Sequence, residues 1–359
     1  MRGDDRPGPG AGPGRHRLHH LQPAARGRRA HRLPPQDRRG DRQAGLGARA
    51  LSVLRPFALH RPATAEEACA LLGRLGDDAV PYAGGTELLL LMKEGLLRPR
   101  HLVDLKRIPG LDAIAAGGGG LLVGATATHR AVERSAPVAA ACPVLASVAR
   151  HVANVRVRNV GTVGGNLAFA DPHSDLATVF LALDATVALV SPRGRRELPV
   201  GDFVRGPWET AREADEVLVA VVVPPGLGRV AAAYVKFGVH ERPTLGIAVV
   251  LGVEDRDGRA GAGRVADARI AIGCVNPRPA RAPDAEARLR GCGVGDLEDV
   301  AGAVAERAAA SADPADDLHG SADYKREMVA VFTRRALRAA AARARGGEGP
   351  ARYAHAVLA

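Results

Sequence analysis

The pattern of apolar residues changes abruptly near residue 53. Residues 1–52 contain nine Gly and six Pro, and their scattered apolar residues follow neither the period of a strand nor that of a helix. From Leu54 onward, apolar residues recur at both spacings, in segments separated by Gly and Pro. We therefore expect the folded part to begin near residue 53, and residues 1–52 to form a disordered basic extension.

The start of the folded part predicts an α/β unit. Thr64 and Glu67 have the spacing of a capping box, and apolar residues at helical spacing follow them, so a helix is predicted over 64–76. A short apolar strand at 79–82 then leads into a pair of glycines, a helix and a second strand.

Similar patterns continue along the chain. The predicted strands are 79–82, 102–105, 121–123, 186–190, 217–223, 231–237, 247–253 and 269–272. The predicted helices are 64–76, 88–92, 137–150, 174–183, 284–290, 296–310 and 321–342. Pro224-Pro225-Gly226 predicts a domain boundary, which gives domains over 53–226 and 229–342, and residues 343–359 are expected to be a loose tail. The architecture is therefore α/β or α+β.

Composition and charge exclude several classes of protein. Of the 359 residues, 46% are hydrophobic, so the chain can bury a large core and disorder throughout is excluded. No apolar run approaches the ~18–20 residues that a bilayer requires, so no transmembrane segment is expected. Residues 1–52 contain 12 Arg and four Asp, and hold +8 of the net charge of +11. Since the folded part is nearly neutral, we expect no nucleic-acid binding there.

The basic extension has two interpretations. As a disordered arm, it is the one segment on which a nucleic-acid-binding function would rest. No Met occurs between Met1 and Met92, so the segment is equally explained as upstream sequence translated from a wrongly assigned start.

The cysteines indicate neither a metal site nor a disulfide framework. Cys69, Cys142, Cys274 and Cys292 include no C-x-x-C pair, and no His lies at the spacing of a zinc finger. We therefore expect no metal on this chain, four small buried thiols, and a reducing, cytoplasmic compartment.

Two glycine pairs are the strongest candidates for a binding site. Ala83-Gly84-Gly85-Thr86 and Gly161 to Asn166 each lie at a turn between apolar segments. Adjacent glycines permit positive φ and let a phosphate approach the backbone N–H groups, although most such pairs are only turns. The chain lacks both G-x-G-x-x-G after its first strand and G-x-x-x-x-G-K-[ST], which argues against a Rossmann fold and a P-loop.

These runs, in their order along the chain, resemble the FAD-binding subunit of molybdenum hydroxylases over residues 54–340. That family includes the medium subunits of carbon monoxide dehydrogenases and the flavin segment of xanthine dehydrogenases. The residues that carry the resemblance are Ala83 to Leu88, Met92 to Gly95, Leu102 to Leu105, Ile108 to Leu111, Arg158 to Asn166, Ala170 to Pro172 with Ser174-Asp175, Tyr234 to Phe237, Ile272 to Cys274, and Gly320 to Tyr324 with Arg334 to Leu337.

The resemblance implies an α+β chain with the two-subdomain FAD-binding fold of the vanillyl-alcohol-oxidase (PCMH) type. Its α/β subdomains would cover about 53–110 and 111–226, and a smaller α+β C-terminal domain would follow. The implied FAD-binding residues are Ala83, Gly84, Gly85, Thr86, Glu87, Leu88, Gly161, Thr162, Gly164, Gly165, Asn166, Asp175 and Lys236.

Two of these residues also have ordinary structural explanations. Asp175 matches an acid that contacts FAD in the family, but it also stands where it could cap a helix. Lys236 matches a lysine near the isoalloxazine, but it could equally be a solvated strand residue. Where many relatives carry several arginines after this lysine, this chain retains Arg242 alone, and His173 is expected to be a surface residue without a role.

The resemblance implies electron transfer rather than substrate oxidation on this chain. A large molybdopterin-binding subunit and a small iron–sulfur subunit with two-iron two-sulfur clusters would be the partners, in a dimer of heterotrimers. FAD would take electrons from the small subunit and pass them to NAD, a quinone or oxygen, so no side chain is predicted to be catalytic. The alternative is a stand-alone flavoprotein oxidase or reductase of the same fold. Independently of this choice, the C-terminal helix is expected either to dock a partner or to pack on its own domain.

Overall fold

The computed structural model describes residues 54–226, 229–238, 242–254, 263–347 and 356–358. The expected disordered extension over 1–52 lies outside these residues. No helix in the described part is long and apolar enough to cross a membrane.

The first subdomain is a three-stranded parallel sheet with two helices. Its elements are β1 (Ala58–His60), α1 (Ala65–Leu75), β2 (Ala79–Tyr82), α2 (Leu88–Lys93) and β3 (His101–Asp104), and the strand order is β1-β3-β2. Thr64 caps α1 by accepting a hydrogen bond from the N–H of Glu67. The Glu67 carboxylate accepts from the N–H of Ala63, one residue before the cap, so the capping box is shifted by one position.

The second subdomain contains a five-stranded antiparallel sheet and seven helices. Its elements are β4 (Ile114–Gly117), β5 (Gly120–Gly124), α3 (His129–Arg134), α4 (Ala136–Ala141), α5 (Pro143–Arg150), α6 (Val155–Val160), α7 (Val163–Phe169), α8 (Asp175–Ala182), β6 (Thr186–Ser191), β7 (Gly194–Pro199), α9 (Val200–Phe203), β8 (Val204–Gly206), β9 (Glu209–Thr210) and β10 (Val217–Val223). The sheet order is β4-β5-β10-β6-β7, and β8 and β9 form a separate ribbon.

The single helix predicted over 137–150 is wrong. It is two helices, α4 and α5, which meet at Cys142. Pro143 begins the second helix, because a proline disfavours helical backbone in the residue before it but is well suited to a first turn. The chain therefore changes direction between the two helices.

The C-terminal domain is a five-stranded antiparallel sheet covered by helices. Its elements are β11 (Arg229–Phe237), β12 (Leu245–Glu254), β13 (Arg264–Gly273), β14 (Ala280–Arg281), α10 (Pro283–Ala287), α11 (Leu297–Ala310), α12 (Ala322–Ala344) and β15 (Ala356–Leu358), with the sheet order β14-β13-β12-β11-β15. The helix α12 packs against β11, β12 and α11. Its buried apolar residues therefore pack on its own domain.

The segment expected to be a loose tail over 343–359 contains regular structure. The helix α12 extends to Ala344, and β15 pairs antiparallel with β11, so that Val357 lies opposite Lys236. Backbone pairing with an otherwise open sheet edge is what orders these three residues.

The C-terminal sheet shares a core with the second subdomain. Tyr234, Ala248, Val250 and Ala271 belong to the same buried cluster as the interior of that subdomain. The helix α8 lies against β12 and β13. This packing brings residues of β11 beside the start of α8, where a candidate site residue lies.

Candidate functional site

A cavity of about 510 Å³ lies where the two subdomains meet the C-terminal domain. The predicted site residues that line it are Ala83, Gly84, Gly85, Thr86, Glu87, Leu88, Thr162, Gly164, Gly165, Asn166 and Asp175. Gly161 and Lys236 do not line it, but each contacts a residue that does. The fold therefore brings together residues that are up to 92 positions apart along the chain, Ala83 and Asp175 among them.

The first glycine turn, between β2 and α2, has no room for side chains. A Cβ atom on Gly84 would lie 2.2 Å from the carbonyl oxygen of Val160 and 2.8 Å from Cα of Gly161. Gly85 has φ +71°, and a Cβ there would lie 2.6 Å from the ring of Tyr82. Position 84 requires glycine because the second turn approaches it closely. Position 85 requires glycine because of its positive φ and because of the nearby ring of Tyr82.

Backbone N–H groups of this turn are available to a ligand. Within the described residues, the N–H groups of Gly84, Gly85 and Thr86 donate to no protein acceptor, and all three residues line the cavity. Successive free N–H groups in a glycine turn suit an anion.

The second glycine turn is built differently. Thr162 caps α7 and accepts a hydrogen bond from the N–H of Gly165 at 3.1 Å. The N–H groups of Val163 and Gly164 donate to the carbonyl oxygens of Ala127 and Ala125. A Cβ on Gly164 would lie 2.6 Å from that of Ala125. This turn is therefore packed closely against the segment that follows β5, and most of its own amides are already hydrogen-bonded.

Asp175 stands at the start of α8 and faces both the cavity and the C-terminal sheet. It is buried, and its Oδ1 accepts a hydrogen bond from the Tyr234 hydroxyl at 2.7 Å. Its Oδ2 accepts one from Lys236 Nζ at 2.8 Å. Ser174, rather than Asp175, is the cap of α8. The carboxylate therefore acts as a buried anchor for two residues of β11.

Lys236 is likewise buried rather than solvated. Besides Asp175, its ammonium donates to the carbonyl oxygen of His151 at 3.1 Å. Burial, and next the charge of Asp175, raise the pKa of Tyr234 well above its usual value, so its hydroxyl keeps the proton that it donates. The ammonium group of Lys236 thus lies behind the cavity wall, where it contacts Asp175, which lines the cavity.

The mouth of the cavity carries an ion pair that joins all three parts of the fold. Arg242 lies 3.4 Å from a carboxylate oxygen of Glu87 and 3.3 Å from one of Asp171. Burial alone would raise the pKa of Asp171, but hydrogen bonds from His173 and the charge of Arg242 lower it. The expectation that His173 is a plain surface residue is wrong, because it lines the cavity and contacts Asp171.

Three further residues that line the cavity, Thr126, His129 and Trp208, belong to no recognisable sequence motif. Thr126 and His129 are buried, and among the described residues Thr126 Oγ1 and His129 Nδ1 have no hydrogen-bond partner. Trp208 also lines the cavity and is half-exposed. In the sequence these three residues stand near the ends of β5, α3 and β8, and such positions do not by themselves indicate a binding site.

The residues present fit FAD. The free amides of Gly84, Gly85 and Thr86 suit a pyrophosphate, and all three residues line the cavity. The cavity extends from the end of β2 to Trp208 and Arg242, and apolar residues make up much of its wall, as a long dinucleotide with aromatic ends requires.

Comparison with known proteins agrees with this architecture. Residues 55–226 match the family described as the FAD binding domain in molybdopterin dehydrogenase, and residues 239–340 match the CO dehydrogenase flavoprotein C-terminal domain. The carbon monoxide dehydrogenase medium chain of Hydrogenophaga pseudoflava is 37% identical over 289 residues, 80% of this chain and 98% of the relative. The nicotine 6-hydroxylase medium subunit of Paenarthrobacter nicotinovorans is 35% identical, over 79% of this chain and 96% of the relative.

Solved structures show the same fold. A chain of carbon monoxide dehydrogenase from Hydrogenophaga pseudoflava superposes with a TM-score of 0.75 at 38% identity, covering 81% of this chain and 99% of that one. A chain of quinoline 2-oxidoreductase from Pseudomonas putida 86 gives 0.75 at 32% identity, covering 82% and 99%. The two-subdomain fold of the PCMH type, followed by a C-terminal domain, is thus confirmed. The chain belongs to the family of FAD-binding medium subunits of molybdopterin-dependent oxidoreductases.

Proposed function

We propose that this chain binds FAD in the cavity and acts as the electron-transfer subunit of a molybdenum hydroxylase complex. Electrons would arrive from a small subunit with two-iron two-sulfur clusters and leave to an external acceptor, which is NAD, a quinone or oxygen. The observation that carries the proposal is the close contact of the two glycine turns, Gly84 against Gly161, beside a cavity lined by the free amides of Gly84, Gly85 and Thr86.

Each predicted site residue has a proposed task. The amides of Gly84, Gly85 and Thr86 would hold phosphate oxygens, and Gly164 and Gly165 would let the ligand approach the opposite wall. Ala83, Glu87, Leu88, Thr162 and Asn166 would complete the two walls. Asp175 would contact the cofactor, and Gly161 and Lys236 would position Gly84 and Asp175.

The protein residues would bind and position, while the cofactor carries the chemistry. FAD, when bound, supplies the exchange between single-electron and two-electron carriers. The buried Lys236 would hold the Asp175 carboxylate in place, because a paired buried carboxylate cannot move without leaving a charge unpaired. Arg242 would hold Glu87 and Asp171 across the mouth.

Partners follow from the names of the relatives, which are medium chains or medium subunits. We infer a large molybdopterin-binding subunit and a small iron–sulfur subunit, assembled as a dimer of heterotrimers. We also infer domain limits of 53–226 and 229–342, and a cytoplasmic location that suits the free thiols of Cys69, Cys142, Cys274 and Cys292.

The test is purification of the tagged chain from cells that make it naturally, followed by an absorption spectrum and metal analysis. We expect one FAD per chain and two co-purifying chains, with molybdenum and iron–sulfur signals. Flavin without those metals would favour the stand-alone flavoprotein, and a chain that takes up no FAD would overturn the proposal.

A further inference from the structure

His129 lies beside the cradle, which is the part of the cavity between the two glycine turns, Ala83 to Thr86 and Gly161 to Asn166. Its N–H donates to the carbonyl oxygen of Gly161 at 3.0 Å, and a Cβ on Gly161 would lie 3.1 Å from the imidazole ring. His129 is one of the residues that line the cavity, and it is only 3% exposed. His129 is therefore held against the turn that touches Gly84.

The imidazole has unused hydrogen-bonding capacity. Within the part of the chain that the structure describes, Nδ1 has no partner although it is buried. A buried polar atom without a partner is unfavourable, and such an atom beside a cavity indicates a ligand that completes it. A half-turn of the ring about the Cβ–Cγ bond exchanges Nδ1 with Cδ2, so a ring nitrogen can be presented on either edge.

The surroundings keep this imidazole neutral when the cavity holds no anion. Burial, and next the positive charge of Arg158, lower the pKa of His129 to about 4. On its own helix, which also carries Arg134, Glu133 pairs with Arg130 at 2.7 Å and with Arg158 of α6 at 3.4 Å. The charged groups on the helices packed around α3 are Arg150 on α5 and Arg156 and Arg158 on α6, and α4 carries none.

We propose that His129 is a cofactor-binding residue that takes up a proton when the pyrophosphate of FAD enters the cradle, and then donates a hydrogen bond to a phosphate oxygen. The proton comes from bulk water. The proposal rests on the proposed function, because it requires FAD in this cavity. It adds a residue that lies in neither glycine motif.

The physical reason is a reversal of the local charge. Before binding, Arg158 is the charge that acts on the ring, and it opposes protonation. A pyrophosphate held by the amides of Gly84, Gly85 and Thr86 would bring two negative charges into the cavity that His129 lines, and an opposite charge within ~4–6 Å favours the protonated form. A group that gains a proton on binding makes the affinity rise as the pH falls.

The test measures proton uptake directly. FAD is titrated by calorimetry into the full chain freed of flavin, near pH ~6, in two buffers with different ionisation enthalpies. We expect uptake of about half a proton or more per FAD, and a dissociation constant that falls about tenfold between pH ~7.5 and ~5.5. In His129→Gln, both the uptake and the pH dependence should disappear.

A matched control uses a histidine that does not line the cavity, His60, which is hydrogen-bonded to His101 in the first subdomain. His60→Gln should retain the proton uptake of the unaltered chain. Uptake that is kept in His129→Gln would overturn the inference, as would FAD binding without any uptake. If FAD does not bind the unaltered chain at all, the proposed function itself fails, so the two failures are distinguishable.

If the His129→Gln chain does not fold, a second measurement, made on the unaltered chain, tests the same inference. The imidazole ¹⁵N signals of the unaltered chain are followed against pH with and without FAD. We expect one buried histidine whose pKa rises on binding, and unchanged titration of every histidine would contradict the inference.

Discussion

Lys236 and Asp175 form a buried ion pair, with Nζ 2.8 Å from Oδ2, that joins the C-terminal sheet to the wall of the cavity. Both side chains are 5% exposed, so neither charge can be solvated if the other is removed. The pair therefore stabilises the contact between the C-terminal sheet and the second subdomain, and it also fixes the position of Asp175 in the cavity wall.

Breaking this pair should be costly. Asp175→Asn or Lys236→Met should each lower the free energy of unfolding by about 3–5 kcal/mol, because an unpaired charge remains buried. The double variant should lose less free energy of unfolding than the two single variants lose together. Urea unfolding measures all three, and Glu298→Gln, in the exposed pair with Arg338, is the control, with an expected loss of about 0–1 kcal/mol. Additive losses would contradict direct coupling.

Gly84→Ala should separate the two glycine turns. The new Cβ would lie 2.2 Å from a backbone oxygen, which cannot rotate away, so the affinity for FAD should fall at least about tenfold. Gly118→Ala is the control, since nothing lies within 4 Å of its Cβ. Equal affinities of the two variants for FAD would show that the close approach of the turns is not needed.

Without flavin, the chain should lose stability as the pH falls from about 6.5 to about 4. The folded pKa of His129 is lowered to about 4, so in this window the unfolded chain binds the proton and the folded chain does not. The loss should amount to about 3 kcal/mol at the acidic end. Urea unfolding at several pH values measures it. In His129→Gln that part of the slope should vanish, and an unchanged slope would rule out this residue as its source.

Arg242→Ala should release the cofactor faster. The arginine joins Glu87 to Asp171 across the mouth, but its side chain is 52% exposed, so the pair is weak and screened by salt. We expect the dissociation rate of FAD to rise by about fivefold at most, and the difference to shrink at high salt. Stopped-flow fluorescence measures the rate. A difference that is independent of salt would point to steric blocking instead.

Local sequence was sufficient for the parts of the fold that short-range chemistry decides. The capping residues Thr64 and Glu67 predict the helix α1, and paired glycines mark both turns. The order of the motifs indicates the family, and with it the fold. Breaks such as the one before Pro143 were missed because apolar spacing continues across them.

The rest of the site depends on contacts between distant residues. Tyr234 and Lys236 reach Asp175 across 59 and 61 positions, and no spacing reports such a contact. The spacing likewise does not report the hydrogen bonds that the amides of Val163 and Gly164 in the second turn donate to the segment that follows β5. His129 is buried by tertiary packing alone, so its role has no sequence signature.

The most direct test of the account is a titration of the flavin-free chain with FAD, followed by the fluorescence of Trp208. This residue is the one tryptophan in the sequence, and it lines the cavity. We predict saturable quenching at one FAD per chain, and binding of FMN, which lacks the pyrophosphate, that is at least about tenfold weaker. Absence of quenching, or equal affinity for FMN, would contradict a pyrophosphate cradle between the two glycine turns.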